Sequence, residues 1–232
     1  MILAGHQPEY LPYIGYFYKM QKCDQFILVD HVQYEKKNFQ NRNKIRTAQG
    51  FTWLTVPVET HGKQFQKINE VEIKRGLDWR EKHYKAIYLN YKNTPHFEKY
   101  ADFLKKTYEE DFSLLVDLNE KIIRFLAKEI GIKKKILKSS EFNFKKKKEE
   151  LLIEMCKTLG ADTYLSGKGG QDYVEDSVFK KQGLKHVFSD FKHPEYKQRF
   201  KPFLPYMSTI DLLFNCGPKT LNIIKSSFEE EK

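Results

Sequence analysis

The chain has 232 residues, 40% of them hydrophobic and 15% aromatic, with a formal net charge of +10 and a pI near 9.2. That length and apolar content suit a globular chain with an ordinary core, either one large domain or a domain with a helical insert. No stretch approaches ~18 consecutive apolar residues, so a membrane-spanning helix is not expected, and the first residues lack the basic region of a signal peptide.

The reading therefore places the chain in the cytoplasm. Its positive charge favours acidic partners: phosphorylated small molecules, nucleic acid or an anionic membrane surface. Much of the surplus lies in Lys133 to Lys135 and Lys145 to Lys148. Both runs read as solvated surface, and the cations do not interleave with aromatics, which argues against a nucleic-acid partner. Cys23, Cys156 and Cys216 are odd in number and far apart, so neither a disulfide framework nor a zinc site is expected. Cys156 reads as a small buried hydrophobe.

Residues 1–5 form a short apolar run that stops at Gly5-His6-Gln7-Pro8, the pattern of a buried strand ending in a turn. The apolar spacing over residues 11–20 predicts a helix with Pro12 in its first turn. Residues 26–29 read as a second buried strand, so strand, helix and strand make a βαβ unit with parallel strands. Residues 53–58 and 71–73 read as further strands. Helical spacing then recurs over residues 78–89, 97–108 and 112–130, with Gly131 as a C-cap, and over residues 148–159, closed by Gly160. Residues 163–165 read as a strand running into Ser166-Gly167-Lys168-Gly169-Gly170. A helix over 175–181, a strand over 185–189 and a helix over 209–214 complete the chain.

The chemistry-bearing residues concentrate in the first third. Ligands of parallel α/β sheets bind beyond the carboxyl ends of the strands. His6 and Gln7 follow the first strand, with Tyr10 and Tyr13 close behind. Asp30, Gln33 and Tyr34 follow the second, and Lys37, Asn38, Asn41, Arg42 and Asn43 form a run of amides and cations. Such a set can hydrogen-bond a sugar, a nucleotide or a phosphate. Each residue alone reads equally as a turn former or a solvated charge. His6 is a candidate acid–base group or phosphate contact, or a histidine satisfying a turn carbonyl. The Ser166 to Gln171 segment lacks the order of a Walker loop. It is either an anion-binding glycine turn, with Lys168 adding charge, or a plain turn. His193 and Gln198 form a third, weaker candidate group, and no metal ligands are expected.

The order His6-Gln7-Pro8-x-Tyr10-Leu11-Pro12-x-x-Gly15-Tyr16-Phe17, Asp24-x-Phe26, Asp30-x-x-Gln33-Tyr34, Asn41-Arg42-Asn43 and Trp53-Leu54-Thr55-Val56-Pro57 resembles the WbqC-like family. So do Tyr164-Leu165-Ser166-Gly167, His193-Pro194-x-Tyr196-x-Gln198 and Ser208-x-x-Asp211-Leu212-Leu213-Phe214-Asn215-x-Gly217. The resemblance runs from residue 2 to about 217 and implies a single domain over 1–232. It also implies a role in bacterial surface-polysaccharide or O-antigen synthesis. The first βαβ unit is also similar to that of the nucleotidylyltransferase superfamily, but Tyr13 and Tyr16 stand where that motif has histidines. Tyrosine cannot carry positive charge, so adenylyl transfer would need it from His6, Lys19, Lys37, Arg42 or Lys168.

Together these readings predict an α/β fold with a Rossmann-like parallel sheet and a helical insert over 78–160. The expected activity is acyl or aminoacyl transfer onto a nucleotide-linked amino sugar, with ATP or an acyl carrier activating the carboxyl. His6 would be the base and Asp30 a second catalytic group that, with Gln33, Asn41 and Asn43, holds hydroxyls. Lys37, Arg42 and Lys168 would hold phosphates. The alternatives are an ATP-using nucleotidylyltransferase-like enzyme and a non-catalytic nucleotide-sugar binder.

Overall fold

The structure is a computed structural model that describes residues 1–167 and 176–227. Its centre is a five-stranded, all-parallel sheet in the order β5-β2-β1-β6-β7. These strands are β1 (Ile2–His6), β2 (Gln25–Leu28), β5 (Lys135–Lys138), β6 (Thr163–Ser166) and β7 (Lys185–Phe188). The chain builds outward from β1 through β2 to β5, then returns to the other side of β1 for β6 and β7. That order makes the fold α/β, doubly wound and Rossmann-like, and its switch point lies between β1 and β6.

Successive side chains along a strand face opposite sides of the sheet, which sorts the core into two layers. Ala4, Phe26, Leu28 and Leu165 join the larger core with α1 (Ile14–Lys22), α7 (Thr209–Cys216) and α8 (Thr220–Lys225). Leu3, Ile27, Val29 and Tyr164 face the smaller core with α5 (Lys148–Leu159) and α6 (Asp176–Lys181), where Cys156 is fully buried. Gly5 is required between them. A Cβ there would stand 2.8 Å from the Tyr164 hydroxyl and 3.1 Å from Val29 Cγ2.

Between β2 and β5 lie a β-hairpin and three helices, α2 (Trp79–Tyr91), α3 (Phe97–Glu109) and α4 (Leu115–Ile130). Apolar residues of all three helices pack into the same core as α1 and the sheet. Gly131 ends α4 and Gly160 ends α5, each in the left-handed conformation that favours glycine.

Four elements depart from the sequence expectation. The first helix starts at Ile14 rather than Leu11, because Leu11 turns the chain with φ +47° and Pro12 lies ahead of the helix. The hairpin pairs β3 (Arg42–Thr47) with β4 (Gly50–Thr55), so the polar run read as a binding segment enters a strand. That strand buries Arg46, whose guanidinium donates to the carbonyls of Thr47, Gly50 (2.7 Å) and Pro202 (2.8 Å). Residues 71–73 form isolated bridges and no extended strand. Finally, β5 is an edge strand whose Lys-Ile-Leu-Lys sequence overlaps a run read as solvated lysines.

Candidate functional site

The site grows from the end of β1. His6 shares the pleat side of Ala4, which turns its ring toward α1, and the ring packs against Tyr16 with centroids 4.7 Å apart. Its Nδ1 donates to the Gln7 carbonyl at 3.2 Å, which leaves Nε2 as the unprotonated nitrogen. The side chain keeps 29% of its surface open. The protein packed around it, and then the nearby Lys19 ammonium, hold its pKa well below the usual imidazole value. His6 is therefore held as the neutral imidazole, with its Nε2 lone pair unprotonated, at neutral pH.

Around His6 lies a cleft of about 350 Å³ lined by Tyr13, Gly15, Lys19, Gly167, Ser189, Phe191, Lys192, His193 and Tyr206. It opens beyond the carboxyl ends of β1, β6 and β7, at the switch point, where doubly wound sheets bind ligands. Tyr13 is the N-cap of α1, and its ring lies across the first turn. A Cβ on Gly15 would stand 2.5 Å from that ring, so glycine is what admits it. Phe191 and Tyr206 extend the aromatic wall, with centroids 6.0 and 6.3 Å from Tyr13.

His193 lines the same cleft but is committed. Its Nδ1 donates to the Pro194 carbonyl at 2.9 Å, and its Nε2 accepts from the Tyr206 amide at 3.0 Å. Of the two histidines on the cleft, only His6 has a nitrogen to offer.

Behind His6 is a buried carboxyl that the sequence reading missed. Glu9 Oε1 lies 3.7 Å from His6 Nδ1, and Oε2 is buried without a hydrogen-bond partner. Burial raises the Glu9 pKa to about 8 against the opposing pull of Lys19. Burial likewise lowers Lys19 to about 8, with Glu9 opposing that shift. In a sequence Glu9 reads as an ordinary turn acid; only the fold reveals its enclosure.

The structure brings His6, Tyr13 and His193 to one cleft and places Ser166 beside it. Its Oγ bonds His186 Nε2 at 2.8 Å, and the next residue, Gly167, lines the cleft. Because β6 runs parallel to β1, the two strand ends share an edge. Lys168 and Gln171 lie outside the described residues.

The other candidates are placed elsewhere. Asp30 is 1% exposed and accepts from Ser139 Oγ (2.9 Å), Ser140 N (2.8 Å) and Ser140 Oγ (2.7 Å), so its carboxylate braces β2 to the turn after β5. Gln7 Oε1 accepts from Gln40 Nε2 at 2.6 Å. The buried Tyr10 hydroxyl bonds His83 Nδ1 at 2.8 Å and the Tyr108 hydroxyl. Asn41 donates to Val56 O and Asn43 to Leu11 O. Asn38 bonds Glu35 at 2.8 Å, and the Lys37 carbonyl accepts from Arg42, whose guanidinium lies 4.5 Å from the Trp53 ring. Gln33 and Tyr34 line a separate cavity of about 380 Å³ together with Lys63 and Phe65. Gln198 donates to Asp211 and Leu204 inside the C-terminal core.

Sequence reasoning also missed Ser189, Phe191, Lys192 and Tyr206 as cleft residues. The available signal was the strand over 185–189: its carboxyl end extends the ligand edge to the residues that follow. Among the described residues, no three His, Cys, Asp or Glu side chains gather as a metal site. No helix among them is long and apolar enough to cross a membrane.

A doubly wound parallel sheet, with an imidazole and a lysine lining the cleft at its switch point, makes this an α/β protein of Rossmann-like architecture. The WbqC-like protein family matches residues 7–223, and the chain belongs to that family. It is also similar to a Mycobacterium tuberculosis (strain H37Rv) protein, uncharacterized protein Rv1507c, at 35% identity over 221 residues, which cover 94% of this chain and 95% of that protein. No solved structure gives a significant match.

Proposed function

We propose that the protein transfers an acyl or aminoacyl group to the amine of a nucleotide-linked sugar in bacterial surface-polysaccharide synthesis. The observation that carries this reading is the neutral His6 imidazole in the switch-point cleft. Amide formation needs a free amine, so a base must take a proton from the sugar ammonium or from the nitrogen as it attacks. A depressed imidazole pKa keeps the Nε2 lone pair available for that step. As the nitrogen bonds to the acyl carbon, His6 gains the proton and the donor's leaving group departs.

The wall of Tyr13, Phe191 and Tyr206 supplies flat faces for a base or a sugar, and Lys19 and Lys192 supply charge for phosphate. The acyl donor is an activated carboxyl, formed with ATP or delivered on a carrier. Family membership supports the polysaccharide context.

The test incubates the purified protein with nucleotide-linked amino sugars, ATP and amino or fatty acids, or with acyl carriers, and follows the sugar by mass spectrometry. The expected product is an N-acylated sugar nucleotide, with His6→Gln slowing its formation about 100-fold or more. Unmodified sugar across the panel, or an unimpaired His6→Gln variant, contradicts the reading.

A further inference from the structure

Lys19 sits in the second turn of α1, and helical side chains lean toward the N-terminus, which accounts for its place in the cleft beside His6. It is only 6% exposed. Its Nζ donates to the Gly5 carbonyl at 2.8 Å, and a lysine ammonium has two further hydrogens to give. Among the described residues Lys19 makes this one hydrogen bond and no ion pair. A buried ammonium that faces a cleft without a counter-anion is costly until an anion reaches it.

A second feature points to the same place. The α1 N-terminus has no side-chain cap, and Gly15 of its first turn lines the cleft. First-turn N–H groups and the helix dipole favour an anion there. Two of the cations expected to hold phosphate, Lys37 and Arg42, are engaged elsewhere, and Lys168 lies outside the described residues. Lys37 lies on the hairpin side of the molecule, where its carbonyl receives Arg42, and Arg42 itself stacks on Trp53.

We propose that Lys19, with the first turn of α1, is the seat of a phosphoryl group of the ligand. The inference rests on the reading of a nucleotide-linked substrate and names the residue that holds its phosphate. No covalent step is involved.

Glu9 sets the charge of the seat. The groups that act on Lys19 are His6 on β1, Glu9 in the turn after it and Cys23 after α1, while Tyr13, Lys192, His193 and Tyr206 line the cleft wall. Burial raises the Glu9 pKa and lowers that of Lys19, so the pair carries its most positive charge, and attracts an anion best, on the acid side of about pH 8. Above it Lys19 loses its proton and Glu9 gains charge, so the pair repels one. Anion affinity is thus present at neutral pH and lost as pH rises through about 8.

Calorimetric titration of the full chain with UDP, and with uridine as the ligand that lacks phosphate, tests the seat. Lys19→Gln is expected to weaken UDP about tenfold or more and to leave uridine unchanged. UDP affinity of the wild-type protein falls about tenfold between pH 7 and 9, and uridine affinity does not. A readout that needs no variant is the Lys19 ¹³Cε resonance, expected to titrate near pH 8 and to move to higher pH with UDP. A folded Lys19→Gln variant that binds UDP like wild type, or a Lys19 resonance indifferent to UDP, overturns the seat. The two proposals fail separately. UDP binding through Lys19 without any N-acylated sugar keeps the seat and removes the acyl transfer. Acylation by Lys19→Gln at the full rate and unchanged KM keeps the transfer and removes the seat.

Discussion

His6 and His193 face one cleft, yet only one of them is free to act. His193 spends both nitrogens on backbone groups, whereas His6 spends Nδ1 alone. Burial holds the His6 pKa below that of an unfolded histidine, so between the two values the unfolded chain binds more protons. The corresponding stability is present above the unfolded value and is lost as pH falls toward the folded one. Two outcomes follow. ¹⁵N spectra should show His6 neutral at pH 6.5, where an unperturbed histidine is half protonated, and melting curves should show His6→Gln losing less stability than wild type as pH falls below 6.5. A His6 that titrates at the ordinary value contradicts the account of its environment. Arg42 sits at the opposite extreme of accessibility to chemistry: its guanidinium is committed to Trp53 and the Lys37 carbonyl. Arg42→Ala is expected to cost about 1–2 kcal/mol of unfolding free energy and to leave UDP affinity unchanged. His6 was legible because a histidine directly after an apolar strand has few other places to be. Asp30, Asn41 and Asn43 were not, because an amide or carboxylate in a sequence carries no sign of which buried group will take its hydrogen bonds.

At the scale of elements, the turn after each strand decides what the site receives. Asp30 ties the end of β2 to Ser139 and Ser140 beyond β5, which fixes the edge of the sheet. Asp30→Ala leaves three donors unanswered and is expected to lower stability by about 3 kcal/mol in denaturant titrations, with UDP affinity retained in the folded fraction. Gly5→Ala forces a methyl against Tyr164, Val29 and Ile27 at the switch point and is expected to cost about 1–3 kcal/mol. The βαβ start, α4 and α5 were readable from apolar spacing and terminal glycines. The β3 strand was hidden because its buried positions are Asn43, Ile45 and, on the opposite face, an arginine whose charge is met by carbonyls. The β5 strand was hidden by lysines at both ends, the protection an edge strand uses against pairing with another chain.

Across the whole molecule, the order β5-β2-β1-β6-β7 puts the ends of β1 and β6 side by side, although residues 7–162 separate them in the chain. No local pattern shows that meeting. It follows only from the crossovers, which explains why the cleft residues after β7 escaped the sequence reading. The same fold separates the charge surplus from the site. Lys145 to Lys148 are exposed at the start of α5, on the side of the smaller core, and none lines the cleft. Replacing all four with Gln should change UDP affinity by less than about twofold, since exposed charges that do not touch the ligand are screened by salt.

A ligand seated at the switch point, over His6, must be felt by the residues around that cleft. Backbone amide shifts recorded while a nucleotide-linked amino sugar is titrated into the isotope-labelled chain test it directly. The largest perturbations should fall on His6, Gly15, Gly167 and Ser189, around the cleft. Perturbations centred instead on Gln33, Glu35, Gln64 and Gln66, around the second cavity, would contradict it.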